Sequence, residues 1–124
     1  MPFRPAVSRR LISAALLLIM MAPPLAHAHA ILEESFPEPG DSVQAGLVTL
    51  RLRFNSRIDL ARSRLLLLAA DRSQRTLAIQ QGGPPDIVGA NVELKPGVYT
   101  VRWQVLAIDG HLTRGDVRFT VTEP

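Results

Sequence analysis

Tyr99-Thr100-Val101-Arg102-Trp103-Gln104-Val105 alternates apolar and polar side chains at every step. A period of two marks an extended strand with one buried face, because successive side chains leave the backbone on opposite sides. Tyr99, Val101, Trp103 and Val105 are therefore expected to face a core, with Trp103 at its centre, while Thr100, Arg102 and Gln104 face water. Val117, Phe119 and Val121 repeat the pattern against Arg118, Thr120 and Thr122. Val48, Leu50, Leu52 and Phe54 do the same against Thr49, Arg51 and Arg53.

Between these segments the chain is punctuated by turn residues. Pro37-Glu38-Pro39-Gly40-Asp41 reads as a turn-rich connection, Gly82-Gly83-Pro84-Pro85-Asp86 as a loop and Pro96-Gly97 as a tight turn. Leu65-Leu66-Leu67-Leu68-Ala69-Ala70 is a continuous apolar run whose shortness and flanking Asp71-Arg72-Ser73 favour a buried strand, paired as a hairpin with residues 76–80. Residues 91–94 add a short strand. Six or seven short strands with regular turns and no strong helical period predict an all-β fold, an antiparallel β-sandwich.

The start of the chain has another character. Arg4, Arg9 and Arg10 precede an apolar stretch from Leu11 to Ala22, and Ala26 and Ala28 satisfy the small-residue rule for signal cleavage before His29. The apolar stretch is shorter than the roughly 20 residues of a membrane span. Residues 1–28 are thus expected to be a cleaved secretory signal, and residues 29–124 a single small domain that begins with a histidine. The expected location is the periplasm.

Removing that segment changes what composition implies. It carries three arginines and no acid, so the 14 Lys+Arg of the whole chain fall to 11, against 11 Asp+Glu. A neutral domain offers no footprint for nucleic acid. Arg51, Arg53, Arg62, Arg64, Arg72 and Arg75 lie at alternating or turn positions and read as a solvated face rather than as a basic docking surface. There is no cysteine, and Met1, Met20 and Met21 all precede Ala28. The domain therefore has neither thiolate nor thioether, the soft ligands that favour Cu(I).

Two histidines remain after Ala28, His29 and His111. His111 follows Asp109-Gly110, and in an extended segment residues two apart project to the same side, so Asp109 and His111 can converge. Asp-Gly is also an ordinary hairpin-turn signal, with His111 then a surface residue beside it. An N-terminal histidine alters that balance, since it offers an α-amine and an imidazole on one residue. His29, Asp109 and His111 together form a nitrogen-rich set completed by oxygen, which suits the tetragonal preference of Cu(II). These nitrogens bind metal only when deprotonated, so affinity should fall below neutral pH.

Three stretches carry a resemblance over essentially the whole domain. They are His29-Ala30-Ile31-Leu32-Glu33-Glu34-Ser35-Phe36-Pro37; Leu94-Lys95-Pro96-Gly97-Val98-Tyr99-Thr100-Val101-Arg102-Trp103; and Asp109-Gly110-His111 with residues 115–121. In these the chain resembles the CopC-type periplasmic copper-binding proteins. The resemblance implies an immunoglobulin-like Greek-key β-sandwich or barrel that binds one Cu(II) through His29, Asp109 and His111. It also implies a CopD-like inner-membrane copper transporter as partner. The family's second, Cu(I) site uses a methionine-rich loop, and here that loop has no methionine, which points to a Cu(II)-only member.

The function expected is that of a monomeric, non-enzymatic carrier or buffer in copper resistance or delivery. Two other readings stay open: a copper-dependent oxidative enzyme with an N-terminal histidine brace, and a β-sandwich interaction module that binds no metal.

Overall fold

The computed structural model describes residues 29–124; the expected signal segment, 1–28, lies outside the described residues. Eight strands follow one another, and among the described residues there is no helix: β1 (Leu32–Phe36), β2 (Ser42–Gln44), β3 (Gly46–Phe54), β4 (Ile58–Ala69), β5 (Gln74–Leu77), β6 (Ile87–Leu94), β7 (Gly97–Ala107) and β8 (Leu112–Thr122). They form two sheets, one of three strands in the order β1-β3-β6 and one of five in the order β2-β8-β7-β4-β5. This is the expected β-sandwich.

The alternating segments behave as their period requires. Val48, Leu50, Leu52 and Phe54 of β3, Val101, Trp103, Val105 and Ala107 of β7, and Val117, Phe119 and Val121 of β8 are all buried. Their inner faces meet in one core in which, among the described residues, no polar or charged residue is buried. Trp103 sits within it, 5.1 Å edge-to-face from Phe54. Its ring lies against Gly115, where any Cβ would overlap the indole. Tyr99 is only half-buried; its ring stacks on Phe119 at 6.0 Å, and its hydroxyl donates to the Lys95 carbonyl at 2.8 Å. That bond straps the Pro96-Gly97 turn to the strand it opens, in the manner of a tyrosine corner.

Several details differ from the expectation. The strands number eight because Ser42-Val43-Gln44, too short to show a period, pairs in parallel with β8 from Ser42↔Thr120 to Gln44↔Thr122, so the larger sheet is mixed. β6 begins at Ile87 rather than at residue 91, its first half carrying Gly89 beneath the Gln80 side chain. Within the apolar run of β4 Leu65 and Leu67 are buried, while Leu66 and Leu68 point outward and are half-covered. The apolar run is a strand with one inner face, and its hairpin partner is β5 at Gln74–Leu77 rather than residues 76–80, paired from Leu65↔Leu77 to Leu68↔Gln74.

The arginines do not form one surface. Arg51 and Arg53 lie on the three-stranded sheet, where Arg53 pairs with Glu34 at 2.9 Å and Glu33 at 3.6 Å. Arg62, Arg64, Arg72 and Arg75 belong to β4, β5 and their turn, and Arg62 pairs with Asp59 at 3.8 Å.

Candidate metal centre

Three chain segments meet at one end of the sandwich. The first is the arm His29-Ala30-Ile31, which precedes β1 and has no strand pairing of its own. It is held by its neighbours instead. Ala30 is 3 % exposed and belongs to the core. The Thr113 hydroxyl donates to the Ala30 carbonyl at 3.1 Å across 83 positions of sequence. On the other side, Ile31 N–H donates to Asn55 Oδ1 at 2.8 Å and Asn55 N–H donates back to the Ile31 carbonyl at 3.0 Å. His29, next to the buried Ala30, is exposed.

The second segment is the β3–β4 connection, residues 55–57, and the third is the turn between β7 and β8. Gly110 N–H donates to the Ala107 carbonyl and Ala107 N–H to the His111 carbonyl, both at 2.9 Å. Gly110 has φ +94°, a left-handed conformation that suits glycine. A turn followed by a left-handed glycine is a common three-residue hairpin loop. Ile108 N–H donates to the Arg57 carbonyl at 3.0 Å, which fastens this turn to the second segment.

Within the turn, Asp109 folds back on His111. Its Oδ1 accepts the His111 backbone N–H at 3.1 Å, and its Oδ2 lies 3.2 Å from His111 Nδ1. Asp109 and His111 thus converge as expected, but through an Asp-Gly turn rather than an extended segment; the hairpin and the ligand-like arrangement are one structure. The His111 backbone N–H first, and then its side chain, hold the Asp109 carboxyl below the usual carboxylate range. The group is fully charged near neutral pH.

His29 completes the cluster. Its ring centroid lies 5.0 Å from that of His111, with the rings inclined at 67°. The structure therefore joins His111 to each of the other two sequence-predicted residues. Among the described residues no three His, Cys, Asp or Glu side chains are already set to hold a metal ion. The donors present, two imidazoles and a carboxylate, are nitrogen and oxygen ligands of the kind that divalent copper accepts.

Asn55 and Thr113 were not singled out in the sequence. Asn55 looks like any turn residue after a strand. Thr113 carried a signal: it has the parity of Val117, Phe119 and Val121, so it is a polar side chain at an inward-facing position.

Residues 32–122 match the sequence model of the CopC domain. Protein YobA of Escherichia coli (strain K12) is 30 % identical over 111 residues, covering 86 % of this chain and 90 % of that protein. The crystal structure of CopC from Methylosinus trichosporium OB3b superposes with a TM-score of 0.68 at 27 % identity, over 77 % of this chain and 95 % of that one. PcoC, a methionine-rich copper resistance protein from Escherichia coli, superposes with a TM-score of 0.65 at 25 % identity, over 77 % of this chain and 100 % of that one. Unlike a methionine-rich protein, this chain has no methionine after Met21.

Proposed function

The chain belongs to the CopC domain family, and from that premise we propose that it is a periplasmic carrier or buffer for one Cu(II) ion, bound by His29, Asp109 and His111. The observation that carries this reading is the approach of the His29 ring to within 5.0 Å of His111, whose Nδ1 is 3.2 Å from Asp109. In this reading signal cleavage before His29 frees an α-amine beside that cluster, adding a fourth donor. His29 then chelates through amine and imidazole, His111 supplies a second imidazole, and Asp109 supplies charge. The lack of cysteine throughout and of methionine after Met21 supports Cu(II) over Cu(I) as cargo.

Delivery to a CopD-like inner-membrane transporter fits the surroundings of the cluster. Ile31, Ile108 and Leu112 are three of the five large apolar side chains left exposed in the described domain, and all belong to the segments that carry the cluster. Exposed apolar groups gathered at one place suit brief contact with a partner. The protein acts as a monomer in this reading.

We assign it no enzymatic activity. Trp103 is buried and one face of Tyr99 is covered by Phe119, which counts against a broad aromatic surface on which a polysaccharide would stack. Copper-loaded protein that sustained peroxide formation with ascorbate above the level of free copper would restore the oxidative-enzyme reading.

The test is a Cu(II) titration followed by electron paramagnetic resonance on two forms, one beginning at His29 and one with a single residue before it. A nitrogen-rich tetragonal signal from the first, and clearly weaker binding by the second, is the expected result. Identical spectra and affinities would make the N-terminus a bystander and return the domain to an interaction module.

A further inference from the structure

We infer that Thr113 and Asn55 are positioning residues for copper, forming a clamp that fixes the His29 arm before any metal arrives. This inference rests on the copper reading above. An unpaired chain end is ordinarily disordered and is ordered only by what it binds. Here the residues after His29 have partners within the protein itself. Thr113 Oγ1 bonds the Ala30 carbonyl at 3.1 Å, Asn55 Oδ1 takes the Ile31 N–H at 2.8 Å, and Asn55 N–H reaches the Ile31 carbonyl at 3.0 Å. Ala30, 3 % exposed, is packed into the core between them.

The consequence follows from where these contacts fall. The clamp grips residues 30 and 31, directly after His29, so the amine and imidazole of His29 stay within one residue's reach of a fixed point. Thr113 is also two positions beyond His111 on the same chain. One hydroxyl therefore ties the arm bearing the first histidine to the strand that follows the second. Asn55 ties the same arm to the connection whose Arg57 carbonyl holds the Asp109 turn through Ile108. Ordering these groups during folding removes that entropic cost from copper binding, which is how preorganisation raises affinity.

The test uses the secreted protein beginning at His29. Thr113→Val removes the hydroxyl at nearly constant shape and Thr113→Ser restores it; Asn55→Ala removes the side-chain acceptor and Asn55→Asp restores an oxygen. Three quantities are read: exchange of the Ile31 amide without metal, Cu(II) affinity against a chelating competitor, and the paramagnetic resonance spectrum. In the parent protein the Ile31 amide is protected without copper. Thr113→Val and Asn55→Ala each bind copper roughly three- to tenfold more weakly, as expected for the loss of one hydrogen bond. The spectrum broadens, and Thr113→Ser and Asn55→Asp return to within about twofold of the parent affinity. Asn55 is exposed, so its variants keep the test readable if Thr113→Val does not fold.

Variants that melt earlier yet bind copper with the parent affinity and spectrum would overturn the inference, since the contacts would then serve only stability. A parent protein that binds copper with an unprotected Ile31 amide would overturn the clamp and leave the copper reading. Protection without copper binding would overturn the copper reading itself.

Discussion

Asp109 holds His111 at two points, its Oδ1 on the backbone N–H at 3.1 Å and its Oδ2 at 3.2 Å from Nδ1. The first contact shapes the turn and the second orients the imidazole. Asp109→Asn keeps an oxygen for the backbone N–H but loses the charge, whereas Asp109→Ala loses both. Cu(II) affinity is expected to fall in the order parent, Asp109→Asn, Asp109→Ala, the last by at least about tenfold, comparable to losing a group that orients a metal-bound histidine. Competition titrations check the order; an Asp109→Ala protein with parent affinity would remove this residue from the site.

Trp103 and Gly115 face each other across β7 and β8 in register, with the indole filling the space a side chain at 115 would need. Gly115→Ala must displace the ring or bend the strand. Overpacking of this kind costs about 1–3 kcal/mol, and a urea denaturation series should show the midpoint falling with little change in slope. A parent-like midpoint would mean that the indole moves aside without cost.

One contributor to the pH dependence of stability lies outside the candidate site, on the five-stranded sheet. Arg102 bonds Asp116 at 2.9 and 3.1 Å and holds its carboxyl below the usual range. The folded-state value is lower than the unfolded value of about 3.9, so the stabilisation is present above pH 4 and is lost as pH falls through the folded value. Both side chains are nearly half exposed, which keeps the contribution below about 1 kcal/mol. Asp116→Asn should therefore be slightly less stable than the parent at pH 7, with the gap narrowing as pH falls below about 4. A gap that widened on acidification would contradict the pairing.

How far the sequence could be read depended on whether a signal was local. The alternation in β3, β7 and β8 is a property of neighbouring residues, and it identified the inner faces that the structure buries. Ser42-Val43-Gln44 escaped notice because three residues show no period and their partner, Thr120 to Thr122, is far along the chain. The outward placing of Leu66 and Leu68 was hidden because an apolar run has no parity to read. The approach of His29 to His111 has no local signal either; donor chemistry makes the two a plausible set, and the family resemblance implies that they meet. The hydrogen bonds of Asn55 and Thr113 to the arm depend on the fold that brings the residues before β1 onto the start of β8 and the β3–β4 connection, which no local pattern shows.

Copper removal is expected to leave the fold intact. In small metal-dependent domains the ion takes the place of a core, and chelation unfolds them. Here 20 buried apolar side chains form a continuous core between the sheets, while the candidate ligands sit in a turn and on an exposed arm. The arm has its own anchor in Ala30 and its own hydrogen bonds to Thr113 and Asn55. Far-ultraviolet circular dichroism and amide chemical-shift dispersion should therefore be nearly the same before and after chelation, with changes confined to His29, residues 107–113 and their contacts. Bound copper should still raise the melting temperature, because a ligand that binds only the folded state stabilises it by mass action. Loss of the β-sheet signal on chelation would show instead that copper is part of what holds the sandwich together, and the carrier reading would give way to a structural metal.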